Sequence, residues 1–275
     1  MDRAGPFRAL EHRFEVRSDV PGAVEMAGRL FAPFGDRGVD RPTVYELRRS
    51  DGTRPYAVWS DGALLRRGVD AGNALDRLIT EVGRRAVASA HPYVVIHAGA
   101  VSHGGRGILM PAPPDHGKST LTTALVRAGC AFLSDEAAPI DPRTGTVWPF
   151  PRPIMLSPGS LAALPGLAET LPDDRGFRNY QFHLTCEDVR AGSMGEPSSV
   201  DLIVAPRYEP GAATALEPLA GAEALLTLVT QCLNFDRAGA SALPILGSLV
   251  EGASCYRLTT GDASAAVDAI LGLVD

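Results

Sequence analysis

No two cysteines in this chain are spaced as CxxC. The four present, Cys130, Cys186, Cys232 and Cys255, are scattered, which argues against a structural zinc site and a disulfide framework and fits a reducing cytoplasm. Cys130 and Cys232 sit among apolar residues and read as core. No apolar run reaches spanning length; Leu225–Leu233 is short and broken by Thr and Gln. The N-terminus is polar and lacks the apolar core of a signal peptide. Long basic runs are absent and the net charge is −6, which argues against nucleic acid as the main partner. Arg48-Arg49 and Arg66-Arg67 are short, flanked by acids, and read as solvated faces. Internal repeats and low-complexity tracts are also missing. What remains is a soluble, cytoplasmic, globular protein with no membrane partner.

A chain of 275 residues makes one or two domains and can bury about three quarters of its unfolded surface without staples. Its centre of interest is Ala112-Pro113-Pro114-Asp115-His116-Gly117-Lys118-Ser119-Thr120. The apolar strand Gly107–Met110 leads in. Leu121, Ala124, Leu125 and Ala128 give a helical stripe leading out, and Gly129 stops it. A strand, a tight loop ending Gly-Lys-Ser and a helix form the arrangement that cradles phosphates. Backbone N–H groups and the helix N-terminus hold phosphate oxygens, Lys118 offsets β/γ charge, and the Ser119 hydroxyl ligates Mg²⁺. An ordinary strand–loop–helix with a surface lysine is the bland alternative.

Two neighbours sharpen the reading. Tyr93–Ser102 reads as a strand, and the turn His103-Gly104-Gly105-Arg106 folds it back onto the strand into the loop. That hairpin sets His97 level with Ala112, within a residue or two. A satisfied core histidine is the competing reading. Downstream, the helix travels about 16 Å and the strand Cys130–Ser134 returns a similar distance. Asp135 and Glu136 thereby come back to the loop, where an acidic pair can hold Mg²⁺ or take a proton from an attacking hydroxyl. A solvated strand end before a turn, Ala138-Pro139-Ile140-Asp141-Pro142, is the alternative for them.

With His97, Gly117-Lys118-Ser119 and Leu133-Ser134-Asp135-Glu136, together with Pro151-Arg152-Pro153-Ile154 and Ala205-Pro206-Arg207-Tyr208, residues 90–235 resemble the catalytic domain of the HPr kinase/phosphorylase family, and more closely its divergent bacterial relatives. The resemblance implies an α/β fold: a P-loop kinase core of the phosphoenolpyruvate-carboxykinase-like type. It further implies His97 near the γ-phosphate, phosphate transfer from ATP to a hydroxyl, typically on a protein serine, and homo-oligomeric assembly. The family loop is richer in glycine; here Ala112 and Asp115 stand where glycine is usual. Asp tolerates a left-handed backbone, but its carboxylate repels phosphates unless it turns outward or meets a cation. The second signature, for dephosphorylation, is missing.

The expected organisation is an α+β unit over residues 1–90 and a nucleotide-binding catalytic domain over 91–275. In the first unit, Phe14–Ser18, Thr43–Arg49 and Tyr56–Ser60 alternate as strands, Ala23–Ala32 and Asn73–Ala90 read as helices, and no motif carries chemistry. In the second, ATP occupies Ala112–Thr120, Asp135 is the base, and Ser119 with Asp135 or Glu136 places Mg²⁺. Lys118 and Arg152 or Arg207 offset charge on the transferred group. Arg152 lies on a stiff proline-flanked segment; a guanidinium there recognises phosphate or pairs with a nearby acid. Residues 155–199 are the least regular and read as a closing segment, with Arg175 and Arg178 either reaching an acceptor or the γ-phosphate or simply solvated at the surface, the default reading. The acceptor is a peptide or small protein, with a small alcohol or amino acid as the alternative. Asp115 also keeps open a non-catalytic nucleotide-sensing module. Val200–Ala205, Ala220–Leu233, Leu243–Leu249, Cys255–Leu258 and a helix capped by Asp262 complete the chain.

Overall fold

The computed structural model describes residues 1–36, 38–172, 176–178 and 180–274. It is a mixed α/β structure with two compact units. The first comprises Met1–Ala90 with Arg152–Pro158 and Leu171–Thr185; the second comprises His91–Pro151, Gly159–Thr170 and Cys186–Asp275. Two segments expected in the second unit therefore belong to the first. Among the described residues no helix is long and apolar enough to cross a membrane.

In the first unit β1 (Asp2–Ala9), β2 (His12–Ser18), β3 (Thr43–Arg49), β4 (Tyr56–Ser60) and β5 (Ala63–Gly68) form one sheet in that order. The β2–β3 pair is parallel and the others antiparallel. Helix α1 (Ala23–Phe31) makes the crossover between β2 and β3, as a parallel pair requires. Strand β1 was not foreseen. It carries Gly5-Pro6 as an edge strand whose register shifts between Ala4 and Phe7, and an edge tolerates proline.

Phe7, Phe14, Phe31 and Tyr45 fill the core of this sheet, with Phe14 and Phe31 edge-on at 5.1 Å. Helix α2 (Ala71–Ala88) starts at Asp70, whose carboxylate accepts from Asn73 N at 2.7 Å. It buries Leu75, Leu78, Ile79, Val82 and Ala86, one stripe at helical spacing. Asp76 lies in that stripe too, and the late segment explains it. Strands β11 (Ile154–Leu156) and β12 (Phe182–Leu184) pair antiparallel, and fully buried His183 on β12 places Nε2 2.5 Å from Asp76 Oδ1. Of the expected closing segment, Arg175 lies outside the described residues. Arg178 stacks on the Phe182 ring at 4.6 Å.

The second unit begins with β6 (Val94–Ile96), β7 (Ala98–His103), β8 (Arg106–Pro111), α3 (Lys118–Arg127), β9 (Ala131–Ser134) and β10 (Ala138–Ile140). After the short helices α4 (Pro158–Ala162) and α5 (Cys186–Val189) come β13 (Ser199–Tyr208), β14 (Ala215–Pro218), α6 (Gly221–Thr230), α7 (Phe235–Ala238), α8 (Ala242–Gly252), β15 (Ser254–Thr260) and α9 (Ala263–Leu271). The main sheet runs β14-β15-β13-β8-β7-β9. Strands β8, β13 and β15 are parallel, β7 opposes β8, and β9 opposes β7. Strand alternation divides its side chains. Ala98, Ala100, Leu109, Leu133 and Ile203 pack with Leu228, Leu246 and Leu249 of α6 and α8. On the other face, a side chain at Gly99 would meet Thr122 of α3 at 2.3 Å, so the strand–helix approach demands glycine there.

Two expectations change here. The strand expected over Tyr93–Ser102 breaks at His97: β6 pairs with β10, while β7 joins the main sheet. The turn expected around Pro139 is the strand β10, with Pro139 opposite Val95.

Candidate functional site

Direction alone brings the site together. Strand β8 runs into the Ala112–Thr120 loop, and β9, two places away, runs the same way because β7 opposes both. The carboxyl ends of β8 and β9 and the start of β7 therefore share one edge of the sheet. That edge carries the loop, Asp135-Glu136 and His97. The β7–β8 register pairs Ala98 with Pro111, so one step further sets His97 level with Ala112. The carboxyl end of β13, parallel to β8, brings Arg207 and Tyr208 to the same edge.

The loop is shaped by two left-handed residues. Asp115 has φ 64° and Gly117 φ 83°. Asp is among the few side-chain-bearing residues suited to that region. Gly117 is further confined, since a Cβ there would lie 3.2 Å from Tyr208 Cβ. Pro113, Pro114 and Asp115 are exposed, and His116 Nδ1 lies 2.9 Å from the Pro114 carbonyl. Helix α3 follows without a side-chain cap, and its first backbone bond runs from Leu121 N to Gly117 O. The N–H groups of Lys118, Ser119 and Thr120 thus point out of the helix, at the positive end of its dipole. Thr123 Oγ1 donates to Ser119 O at 2.7 Å and braces that first turn.

Lys118 is buried, and its ammonium donates to the carbonyls of Ala112 and Pro113, each at 2.8 Å. Burial pushes its pKa down, while Glu136, Asp135 and Asp115 push it back up. All three acids therefore act on one cation. Asp135 is buried and Glu136 is half-exposed. Ser134 fixes the turn bearing them: its Oγ donates to Ala137 O at 2.7 Å and accepts from Ala137 N at 3.1 Å.

His97 lies between this pair and a segment that sequence reasoning missed. Its Nε2 is 3.9 Å from Glu136 Oε1, and its Nδ1 is 3.0 Å from Gln231 Oε1. His97 N also donates to Gln231 O at 2.7 Å. Next to Gln231, buried Asn234 accepts from Val95 N at 3.0 Å and donates to Tyr93 O at 2.9 Å, locking Gln231–Asn234 alongside β6. The expected helix over Ala220–Leu233 ends at Thr230, which frees these residues for that role. The one signal in the sequence was a polar interruption in an apolar run.

The two candidate arginines each have a neighbour of their own. Arg207 pairs with Glu209 at 2.7 Å, and alternation along β13 turns it from the face that carries Tyr208 toward Gly117. Arg152 belongs to the first unit, where its Nη2 lies 3.4 Å from Met155 Sδ.

Among the described residues no cluster of three or more His, Cys, Asp or Glu side chains could hold a metal ion. A Mg²⁺ bound by one hydroxyl, one carboxylate, water and phosphate oxygens does not require one, and Ser119 with Asp135 or Glu136 is chemically suited to that. The outward-pointing N–H groups at the start of α3 and the Lys118 ammonium suit phosphate oxygens in the same way.

No family model matches the chain, and no curated protein does. Among solved structures it is similar to the Hpr(Ser) kinase/phosphatase from Coxiella burnetii, at 11% identity over 66% of this chain and 99% of that chain, with a TM-score of 0.31. A likeness of that degree carries no argument about this chain.

Proposed function

We propose that the second unit is a P-loop kinase core of the HPr-kinase-like type, binding Mg²⁺–ATP on Ala112–Thr120 and transferring phosphate to a hydroxyl. The observation that carries this reading is Lys118: a buried ammonium at a helix N-terminus, under the combined field of Asp135, Glu136 and Asp115. The bound nucleotide supplies the phosphoryl group, and its metal supplies positive charge. The chain supplies the rest. The N–H groups of Lys118, Ser119 and Thr120 hold phosphate oxygens, and Lys118 exchanges two neutral carbonyls for anionic partners, the stronger kind of hydrogen bond. Asp135 takes the proton of the acceptor hydroxyl, and Ser119 with Glu136 holds the metal. His97, fixed by Gln231, stands beside Glu136 at the phosphate end.

The acceptor is proposed to be a serine or threonine hydroxyl of a peptide or small protein, with a small alcohol or amino acid as the competing class. A second reading, a nucleotide-binding module without turnover, is favoured by Asp115, an exposed carboxylate within the field of Lys118.

Lys118→Ala and Asp135→Asn test the proposal through labelled-ATP turnover, nucleotide affinity and melting. Lys118→Ala is expected to lower turnover about 10²–10³-fold with the fold intact, and Asp135→Asn to abolish transfer while keeping affinity. Unchanged turnover in Lys118→Ala removes the kinase reading. Binding without turnover in the wild type, across peptide and small-alcohol acceptors, selects the sensing module.

A further inference from the structure

Six arginines of the first unit are paired with neighbouring acids. Arg8 pairs with Glu11 and Asp40, Arg13 with Asp36, Arg17 with Glu15, Arg48 with Glu46, and Arg84 and Arg85 with Glu81. Four others behave differently. Arg54, Arg66, Arg67 and Arg77 line a single cavity of about 220 Å³, and no acidic residue among the described ones lines it with them. The guanidinium groups of Arg54, Arg66 and Arg77 make no ion pair or hydrogen bond among the described residues, whereas Arg67 Nη1 donates to Ser50 Oγ at 3.0 Å. The acids that flank Arg66-Arg67 along the chain are not in the wall. Asp70 accepts from Asn73 N and Nδ2, so its charge is committed to capping α2.

We propose that this cavity is a binding site for a phosphate group, carried by a free small molecule or by a peptide side chain. Four like charges gathered in one concavity repel each other, and a dianion among them turns that repulsion into attraction. The arginines arrive from three directions: Arg54 from the turn between β3 and β4, Arg66 and Arg67 from β5, and Arg77 from α2. Several guanidinium groups lining one cavity suit a tetrahedral group with several oxygens better than a planar carboxylate, which one fork satisfies. Position reinforces charge. Gly68 and Asn73 in the wall bracket the start of α2, and Arg77 stands one turn beyond Asn73 on the same face. Strand β5 is an edge of its sheet. Arginines kept there merely to prevent edge pairing would leave the cavity without a ligand.

The experiment uses the full chain carrying Lys118→Ala, so that the nucleotide loop does not account for phosphate binding. Calorimetry at low ionic strength measures pyrophosphate, a phosphoserine peptide, its unphosphorylated counterpart, and citrate as a phosphate-free polyanion. At least one phosphate probe is expected to bind at one site per chain, at least tenfold tighter than citrate. Adding Arg66→Ala and Arg77→Ala together is expected to weaken it at least tenfold without lowering the melting temperature. If that pair unfolds the unit, Arg54→Ala in the exposed turn decides, with a several-fold loss expected. Tighter binding of the phosphopeptide than of pyrophosphate supports a peptide source, and the reverse supports a free one. Absence of phosphate binding, binding undiminished by the arginine variants, or citrate binding as tightly overturns the proposal.

Discussion

Gln231 Oε1 lies 3.0 Å from His97 Nδ1, a contact between residues 134 positions apart that a backbone bond at 2.7 Å doubles. The Gln231 amide thereby holds the ring by Nδ1 and leaves Nε2 directed at Glu136, 3.9 Å away. Gln231→Leu removes that orientation and keeps the bulk. Turnover is expected to fall about tenfold, with an altered pH–rate profile and a melting temperature within a few degrees of wild type. An unaltered profile would show that the ring needs no such support.

Asp115 holds a left-handed backbone and directs negative charge into the loop. Asp115→Gly is expected to tighten nucleotide binding about fivefold near neutral pH, since like charges a few ångströms apart repel by about a kcal/mol or more. The same change has an alkaline cost. Asp115 is one of three acids raising the Lys118 pKa against burial, so in the variant Lys118 loses its proton at lower pH. Affinity measured from pH 7 to 10 should decline earlier in Asp115→Gly than in wild type. Weaker binding at neutral pH would assign Asp115 a positive role, through a cation.

The sequence was most readable where structure is decided locally. The Asp262 cap of α9 accepts from Ala265 N at 2.8 Å, and the β7–β8 hairpin places His97 level with Ala112 through its own turn. The return of Asp135 and Glu136 followed from helix rise and strand length alone. Decisions made at a distance could not be read. Tyr93–Ser102 is one apolar run, and its break at His97 comes from β10 and from the Gln231–Asn234 segment. Arg207 stands at a strand end as expected, but its ion pair with Glu209 was not foreseen. Arg66-Arg67 read as a solvated pair because Arg54 and Arg77 reach it only through the fold.

Acid should weaken the first unit through His12. Burial, with a smaller contribution from Arg85, lowers its pKa from the usual 6.5 to about 4, and its Nε2 lies 2.9 Å from Tyr45 Oη. The unfolded chain then binds more protons than the folded one between those values. Stability is complete above about pH 6.5 and declines as pH falls toward 4, by at most about 1.4 kcal/mol per pH unit. Urea titrations of Trp148→Phe, which leaves Trp59 to report on this unit, should show that slope. His12→Gln should flatten it, and an equal slope in His12→Gln would place the acid sensitivity elsewhere.

His183 is fully buried, and among the described residues its Nδ1 has no hydrogen-bond partner. Asp76→Ala would leave the whole ring unsatisfied, at a cost of about 3 kcal/mol. Adding His183→Leu should recover part of that loss, because the stranded ring is removed. The same Trp59 signal measures both. Additive losses in the double variant would mean that the two side chains do not act as a pair.

The Asp76–His183 contact joins positions 107 residues apart, and this bears on synthesis. The ribosome completes α2 well before it makes β12, so the nascent first unit carries Asp76 on its inward stripe before His183 has been made. A chain cut after residue 90 stays in that condition permanently. The earliest part of the protein to be made is thus among the last to be finished.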